Sequence, residues 1–327
     1  MNRRKFLTAG AAGTLAAALP WHSWATTGKF PSKSVRWIVP AAPRGSADKL
    51  ARSIAQKLDA RWGERVIVEN AAGGAGKVAA LQALRGGKDG HTVFHASETL
   101  ALNAAKPDGL PFRPVDDFRG VVRAIVSPML FLVRPGLGVS NFADYVELIK
   151  SRPGKVTVAL PAGKGSLQHL ALALLTQKLG VSVTPVPYPG GGPAMLDALG
   201  GHVDSMVITL AAATENVRAG NLIGLAVTTP YRSKALPDIP TLQELGVKDY
   251  AVEGWQAMFV PSGTQTEVVN RLHDDIAQVL TDPAVIRPLE TQGFEIALQK
   301  PDELDRFLRE EGLKYRLIAD QAGIALQ

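Results

Sequence analysis

Beyond residue 30, short apolar runs alternate with amphipathic stretches, and Gly or Pro marks most of the switches. This alternation constrains the fold more than any other feature, because each helix carries the chain back so that the next strand lies parallel to the last. Val35 to Val39 is an apolar run closed by Pro40 and Pro43. Leu50, Ile54, Leu58 and Trp62 then recur every four residues and line one face of a helix. Ser46 is placed to cap that helix, with Asp48 in its first turn. Val66 to Val68 reads as a strand, then come a Gly-rich turn, a helix from Lys77 to Leu84 and a strand at Thr92 to Phe94. Val121 to Val133 holds strand-like runs broken by Pro128.

A second unit repeats the pattern. Ser140 opens a helix carrying Phe142, Tyr145, Val146 and Ile149, and Val156 to Leu160 is a strand. Ser166 opens a helix stopped by Gly180, and Val181 to Val183 reads as a strand. Further strands are expected at Val203 to Ile208 and Leu222 to Val227. Thr264 and Glu267 have capping-box spacing before a helix through Leu280, and the last helix runs from about Asp302 to Ala322. The expected class is α/β with largely parallel sheets. A length of 327 residues suggests two domains at roughly 100–200 residues each. The halves share architecture without sequence repetition, and no low-complexity linker separates them, so strands are expected to cross directly between them.

The first residues read as an export address. Arg3-Arg4-Lys5-Phe6-Leu7 precedes a small, apolar run from Ala9 to Leu19, and Ser23-Trp24-Ala25 has small-x-small cleavage spacing. The apolar run is too short for a span of about 20 residues, and the paired arginines fit a twin-arginine-type leader of residues 1–25. The expected location is therefore periplasmic. Loss of Arg3, Arg4 and Lys5 lowers Lys+Arg from 36 to 33 against 30 acids, so a net charge of +6 becomes +3. No basic run with interleaved aromatics remains, and a nucleic-acid partner is not expected. The absence of Cys excludes disulfides and thiolate chemistry.

Three turns stand out as candidate ligand contacts: Pro40 to Ser46, Ala162 to Ser166, and Pro189 to Pro193. Each places small residues ahead of a helix start, where free N–H groups and the positive helix end favour anions. Catalytic motifs fare worse. Gly74-x-Gly76-x-x-Ala79 is a degenerate dinucleotide fingerprint after a short strand, and ordinary turn punctuation accounts for it. The sequence contains neither a phosphate-binding P-loop nor a Gly-x-Ser-x-Gly elbow, and its six His residues are scattered without metal spacing. His95 and His169 read as packing or hydrogen-bonding residues, and Asp274-Asp275 as a solvated helix face. Trp255, just before Met258-Phe259-Val260, is either core or a ligand wall.

At these turns the sequence resembles the extracytoplasmic receptors of tripartite tricarboxylate transporters, the Bug family. The resemblance rests on Val39-Pro40-x-x-Pro43-x-Gly45-Ser46-Ala47-Asp48, Val68-Glu69-Asn70 with Gly73 to Gly76, and Gly165-Ser166-x-x-His169-Leu170. It also rests on Val186-Pro187-Tyr188 with Gly190-x-Gly192-Pro193-Ala194, Gly200-Gly201-x-Val203-Asp204, and Leu236-Pro237-Asp238-Ile239-Pro240-Thr241. The order and spacing run from Pro31 to Ala325. The resemblance implies a two-lobed, type II-like periplasmic binding protein, with a small carboxylate or related metabolite enclosed between lobes. Lobe 1 would comprise residues 26–127 and 251–327, and lobe 2 residues 128–250. It implies no catalysis, no cofactor and no metal, a monomeric state, and membrane transporter subunits as partners.

The site positions it implies are Pro43, Arg44, Gly45, Ser46, Asp48, Ser97, Glu98, Thr99, Asn103, Gly165, Ser166, Tyr188, Gly190, Gly192, Pro193, Ala194, Ile208, Thr209 and Trp255. Some of these depart from the family pattern. Arg44 replaces a common glycine and either forks onto a ligand carboxylate or points to solvent. Glu98 stands where small residues are usual; a carboxylate there repels an anion and suits an amine. Ile208 replaces an Asp found in members that bind amino-group ligands. Two other readings stay open at this point: a periplasmic component that presents its ligand to a sensor, and an exported dinucleotide-dependent oxidoreductase using the Gly74 turn.

Overall fold

The computed structural model describes residues 30–43, 46–106 and 109–326. The leader and its twin-arginine pair, together with Arg44 and Gly45, lie outside the described residues. In chain order the first half comprises β1 (Val35–Val39), α1 (Ser46–Trp62), β2 (Val66–Asn70), α2 (Lys77–Leu84), β3 (Thr92–Ser97), α3 (Glu98–Ala104) and β4 (Phe118–Ser127). Next come β5 (Met129–Val133), α4 (Phe142–Ser151), β6 (Thr157–Leu160), α5 (Leu167–Leu179), β7 (Thr184–Pro187), α6 (Gly191–Leu199), β8 (Ser205–Thr209), α7 (Leu210–Arg218) and β9 (Ile223–Val227). The chain ends with β10 (Gly254–Pro261), α8 (Thr266–Val279), α9 (Pro283–Thr291), β11 (Glu295–Gln299) and α10 (Pro301–Ala322).

Two mixed sheets result. The first has the order β11-β4-β10-β3-β1-β2 and the second β7-β6-β8-β5-β9. The parallel pairs are those that helices connect, β1 with β2 and β3, and β6 with β7 and β8. The antiparallel strands include those at the passage between sheets: β4 runs through Pro128 straight into β5, and β10 receives the returning chain. The passage is stitched by Thr228, whose Oγ1 accepts from the Met129 N–H at 3.0 Å while its own N–H donates to the Met129 carbonyl at 3.0 Å.

Side-chain alternation along β1 explains how the first sheet is covered on both faces. Val35, Trp37 and Val39 pack with Leu50, Ile54 and Leu58 of α1 and with Val269, Leu272 and Ile276 of α8. Ile38 points the other way, into a core with Phe94, Leu100, Leu304 and Tyr315 that continues into the second sheet through Phe131, Val207 and Tyr250. The second sheet's other face buries Leu130, Leu132, Met206 and Ile208 under α6 and α7.

Some local expectations need correction. The strand expected at Val181 to Val183 lies at Thr184–Pro187 and contains Pro185 and Pro187. It is a sheet edge, where a missing N–H costs no ladder bond. Thr264 does not cap α8: its hydroxyl donates to the Pro261 carbonyl at 2.8 Å, and Gln265 precedes the helix without a side-chain cap. Asn141 rather than Ser140 caps α4, accepting the Asp144 N–H at 3.0 Å. Asp274 is exposed, but Asp275 is buried, because α1 lies over α8 at that point. It accepts from Arg61 Nε, from Trp62 Nε1 at 2.7 Å and from Arg271 Nε at 2.6 Å.

Candidate functional site

Four strands end by turning into helices on the side where the sheets meet. β3 passes directly into α3 and β8 into α7, while β1 reaches α1 and β6 reaches α5 through short turns. The starts of these helices surround a cleft of about 200 Å³. Its first-sheet wall carries Ser46, Ala47, Ser97, Glu98, Ser127, Gly254, Trp255, Gln256 and Phe294. The second-sheet wall carries Met129, Leu167, Gln168 and Thr209. The placement outside the carboxyl ends of strands is the usual one for ligands in open α/β sheets.

On the first-sheet wall, Ser97 caps α3 by accepting the Thr99 N–H at 3.4 Å, and its hydroxyl lies 3.0 Å from Thr99 Oγ1. Glu98 is the first residue of α3. Removal from bulk water pushes its carboxyl above the ordinary range, and its own N–H and that of Trp255 partly oppose the rise. Trp255 is fully buried, lines the cleft, and has an indole N–H without a hydrogen-bond partner. Phe307 meets its ring edge-on at 5.6 Å, and the Arg123 guanidinium covers Phe307 at 4.3 Å. Arg123 in turn donates to Glu253 at 2.7 Å, so the wall is backed by an ion pair.

Gln256 is held from behind. The Trp37 indole N–H donates to His95 Nδ1 at 3.3 Å, which leaves Nε2 to donate to Gln256 Oε1 at 2.8 Å. Burial pulls the His95 imidazole down to about 4, with the Gln256 bond opposing, so it is neutral in this chain of bonds. His95 is thus the buried hydrogen-bonding residue the sequence suggested.

On the second-sheet side, polar groups are committed internally. Ser166 caps α5, accepting the His169 N–H at 3.3 Å and donating to the Gly163 carbonyl at 2.7 Å. The Gly165 N–H donates to His169 Nδ1 at 3.1 Å. Tyr188 donates to Asp197 Oδ2 at 2.6 Å, and burial, reinforced by that carboxylate, raises its phenol to about 12. Gly190, Gly192, Pro193 and Ala194 form the start of α6, and Ile208 is buried in β8; none of them lines the cleft.

Of the expected site residues, the structure brings Ser46, Ser97, Glu98, Thr209 and Trp255 together on one cavity. Thr99 supports Ser97 from behind. Pro43 is exposed at its turn. Asp48 is buried and accepts from Arg52 and from Asn70 Nδ2 at 2.9 Å, which braces the start of α1. Asn103 donates to the Ala75 carbonyl at 3.0 Å and lines a different cavity, with Lys106, Phe112 and Arg113. Ser127, Met129, Gln168, Gln256 and Phe294 are lining residues that the sequence did not single out. Pro128 signalled the break between Ser127 and Met129 but not that both neighbours face a ligand space. Among the described residues no group of His, Asp and Glu is placed to hold a metal, and no helix is long and apolar enough to cross a membrane.

Residues 50–324 match the tripartite tricarboxylate transporter family receptor, TctC. The chain belongs to the TctC family. It is 30% identical to protein BugT of Bordetella pertussis, with 91% of this chain and 92% of BugT covered. A protein from the TAR-I ttuE-ttuC' intergenic region of Agrobacterium vitis is 33% identical, with coverage of 94% and 89%. The solved structure of R. palustris Rpa4515 with adipate superposes with a TM-score of 0.78 at 30% identity, covering 91% of this chain and all of that one. MatC from Rhodopseudomonas palustris with bound malate superposes at 0.73 and 28% identity, with coverage of 88% and 99%. TctC proteins are periplasmic solute receptors, and this TctC chain has their two-sheet architecture with a cleft between the sheets.

Proposed function

We propose that the cleft captures a small carboxylated metabolite and that the loaded receptor delivers it to a membrane transporter. The convergence of the starts of α1, α5 and α7 on one small cavity carries this reading. Helix N-termini offer unpaired N–H groups and a positive end to an anion, and Ser46 and Thr209 stand at two of them and line the same cavity. A relative with adipate and another with malate support the carboxylate class. At about 30 Å³ per water, the cavity corresponds to roughly seven waters, the scale of a small metabolite.

In this reading the chain is a monomeric binder rather than a catalyst. It is exported by the twin-arginine-type leader of residues 1–25 and divided into lobes of 26–127 with 251–327 and of 128–250. The lobes rock about the Ser127–Met129 passage and its returning partner before Gly254 to close the site. The test is mass spectrometry of ligand retained through native purification, followed by calorimetry against C3 to C6 carboxylates and against dinucleotides. Saturable binding of a carboxylate is expected. A folded protein that binds none of them, or binds only a dinucleotide, overturns the reading.

A further inference from the structure

Glu98 is the one ionisable side chain among the described residues lining the cleft. Its surroundings make that charge unusual. It makes no ion pair with a Lys or Arg among the described residues, and it accepts from the backbone N–H groups of Glu98 itself and of Trp255. The cations behind the wall are already engaged, Arg123 with Glu253 and Lys314 with Glu311. Tyr315, also buried behind the wall, feels the negative charge of Glu98, Glu253 and Glu311 together. The part of the first-sheet wall around Glu98 is therefore acidic, without a Lys or Arg counter-ion among the described residues, whereas the starts of α1, α5 and α7 elsewhere on the cleft suit an anion.

A carboxylate withdrawn from water without a partner is relieved either by a proton or by an arriving cation. Glu98 also sits at the positive start of α3 and already satisfies that helix end. The remaining helix starts are left for the ligand's anionic end. We propose that the solute is an amino carboxylate, with its ammonium on Glu98 and its carboxylate toward the starts of α1, α5 and α7. This rests on the receptor reading above and narrows its ligand from carboxylates in general to those bearing a cationic amine. A dicarboxylate of equal length would set a second carboxylate against Glu98.

The experiment uses the mature chain and four probes, butyrate and three that each replace one of its hydrogens: 2-aminobutyrate, 4-aminobutyrate and glutarate. Calorimetry on the wild type is expected to show at least one amino compound binding ten-fold or more tighter than both butyrate and glutarate. Glu98→Gln keeps the shape and a carbonyl acceptor for the backbone N–H of Trp255. It is expected to lose at least ten-fold for that amino compound and to hold or improve its affinity for glutarate, with an unchanged melting temperature when empty. Glu98→Asp, which retains the charge on a shorter stem, should recover part of the loss. Glutarate or butyrate binding more tightly than both amino compounds, with Glu98→Gln neutral, overturns the inference and leaves the receptor reading standing. If no probe and no carboxylate of the wider series binds the folded protein, the receptor reading itself falls, and this inference with it.

Discussion

On the first-sheet side of the cleft, the hydrogen bonds made by polar groups run away from the cavity. His95 bonds Gln256 from behind, Thr99 bonds Ser97, and Arg123 with Phe307 props Trp255. Support comes from outside the cleft, so Glu98 stays available inside it. On the second-sheet side, Ser166 and Tyr188 satisfy their own turns, and the lining that remains is Met129, Leu167, Gln168 and Thr209. Both walls are built from strand ends and helix starts. They differ in whether a polar side chain finds its partner within the local turn or leaves it to the ligand. The first wall is therefore expected to set the ligand's charge, and the second mainly its size.

The largest test of that contrast is Trp255→Ala. Trp255 is fully buried and is both core and cleft wall, so truncation opens a cavity where Phe307 and Arg123 lose their support. Loss of about 3–5 kcal/mol is expected, the usual range for a large aromatic in a core, together with loss of ligand binding. Denaturant unfolding and calorimetry measure the two. On the other wall, Leu167→Ala should destabilise the protein yet leave the preference between charged ligands unchanged. If Leu167→Ala shifts the preference between amine-bearing and purely acidic ligands, the division of labour is wrong.

Acid provides the next test. The imidazole of His95 is held near 4 in the fold, against 6.5 when free, because burial disfavours its charge. Above pH 6.5 it is neutral in both states and contributes no pH dependence. Between 6.5 and 4 the unfolded chain takes up a proton that the fold refuses, so stability falls as the solution is acidified. A difference of this size corresponds to about 3 kcal/mol once pH 4 is reached. His169, near the second wall, is shifted the same way by burial first and then by Lys164. Urea titrations at pH 7 and pH 4.5 should show a markedly shallower pH dependence for His95→Gln than for wild type, and only a slight change for His169→Gln. Equal slopes for wild type and His95→Gln would mean that His95 is not held neutral.

The parts of the site that were legible in the sequence are those written in local chemistry. Ser46 and Trp255 could be read there, from a helix start and from a large ring before an apolar run, whereas Ser97, Glu98 and Thr209 came only through the family resemblance. Gln256, Met129 and Phe294 read as ordinary members or neighbours of strands. Their access to the cleft depends on how two sheets meet, which no short window encodes. Ser166 and Tyr188 carry the right residue types, but Gly163 and Asp197 had to be located in space before their hydroxyls could be seen as occupied. Asp275 is a similar case. Its sequence neighbours suggest solvent, while Arg61 and Trp62 reach it from α1. The alternation gave the α/β class and most strands. It missed the Pro-bearing edge strand β7 and the α9–β11 segment, where Pro288 sits inside the helix and the strand is only half-buried.

Ser166→Ala asks whether a second-wall hydroxyl works for the fold or for the ligand. Its two bonds cap α5 and close the Gly163 turn, so the change should lower stability by about 1 kcal/mol, the usual cost of losing such a cap. Affinity for whichever solute binds should stay within error in calorimetry. A clear loss of affinity at unchanged melting temperature would show that the cap opens to the ligand, and the second wall would then resemble the first.

Thr209→Val is the smallest change and the sharpest counterpart. Thr209 precedes α7 without a side-chain cap bond, yet it lines the cleft. Its hydroxyl is therefore one of two side-chain donors, with the Gln168 amide, that the second wall can offer a ligand carboxylate. Valine keeps the branched shape, so packing against β8 should be preserved and the melting temperature should not move. Binding should weaken by at most about 1 kcal/mol, since a single hydrogen bond exchanged with water is worth roughly that much, and the loss should be the same for probes with and without an amine. An effect confined to amine-bearing probes would place the ammonium beside Thr209 instead of Glu98. It would reverse the assignment of charge between the two walls.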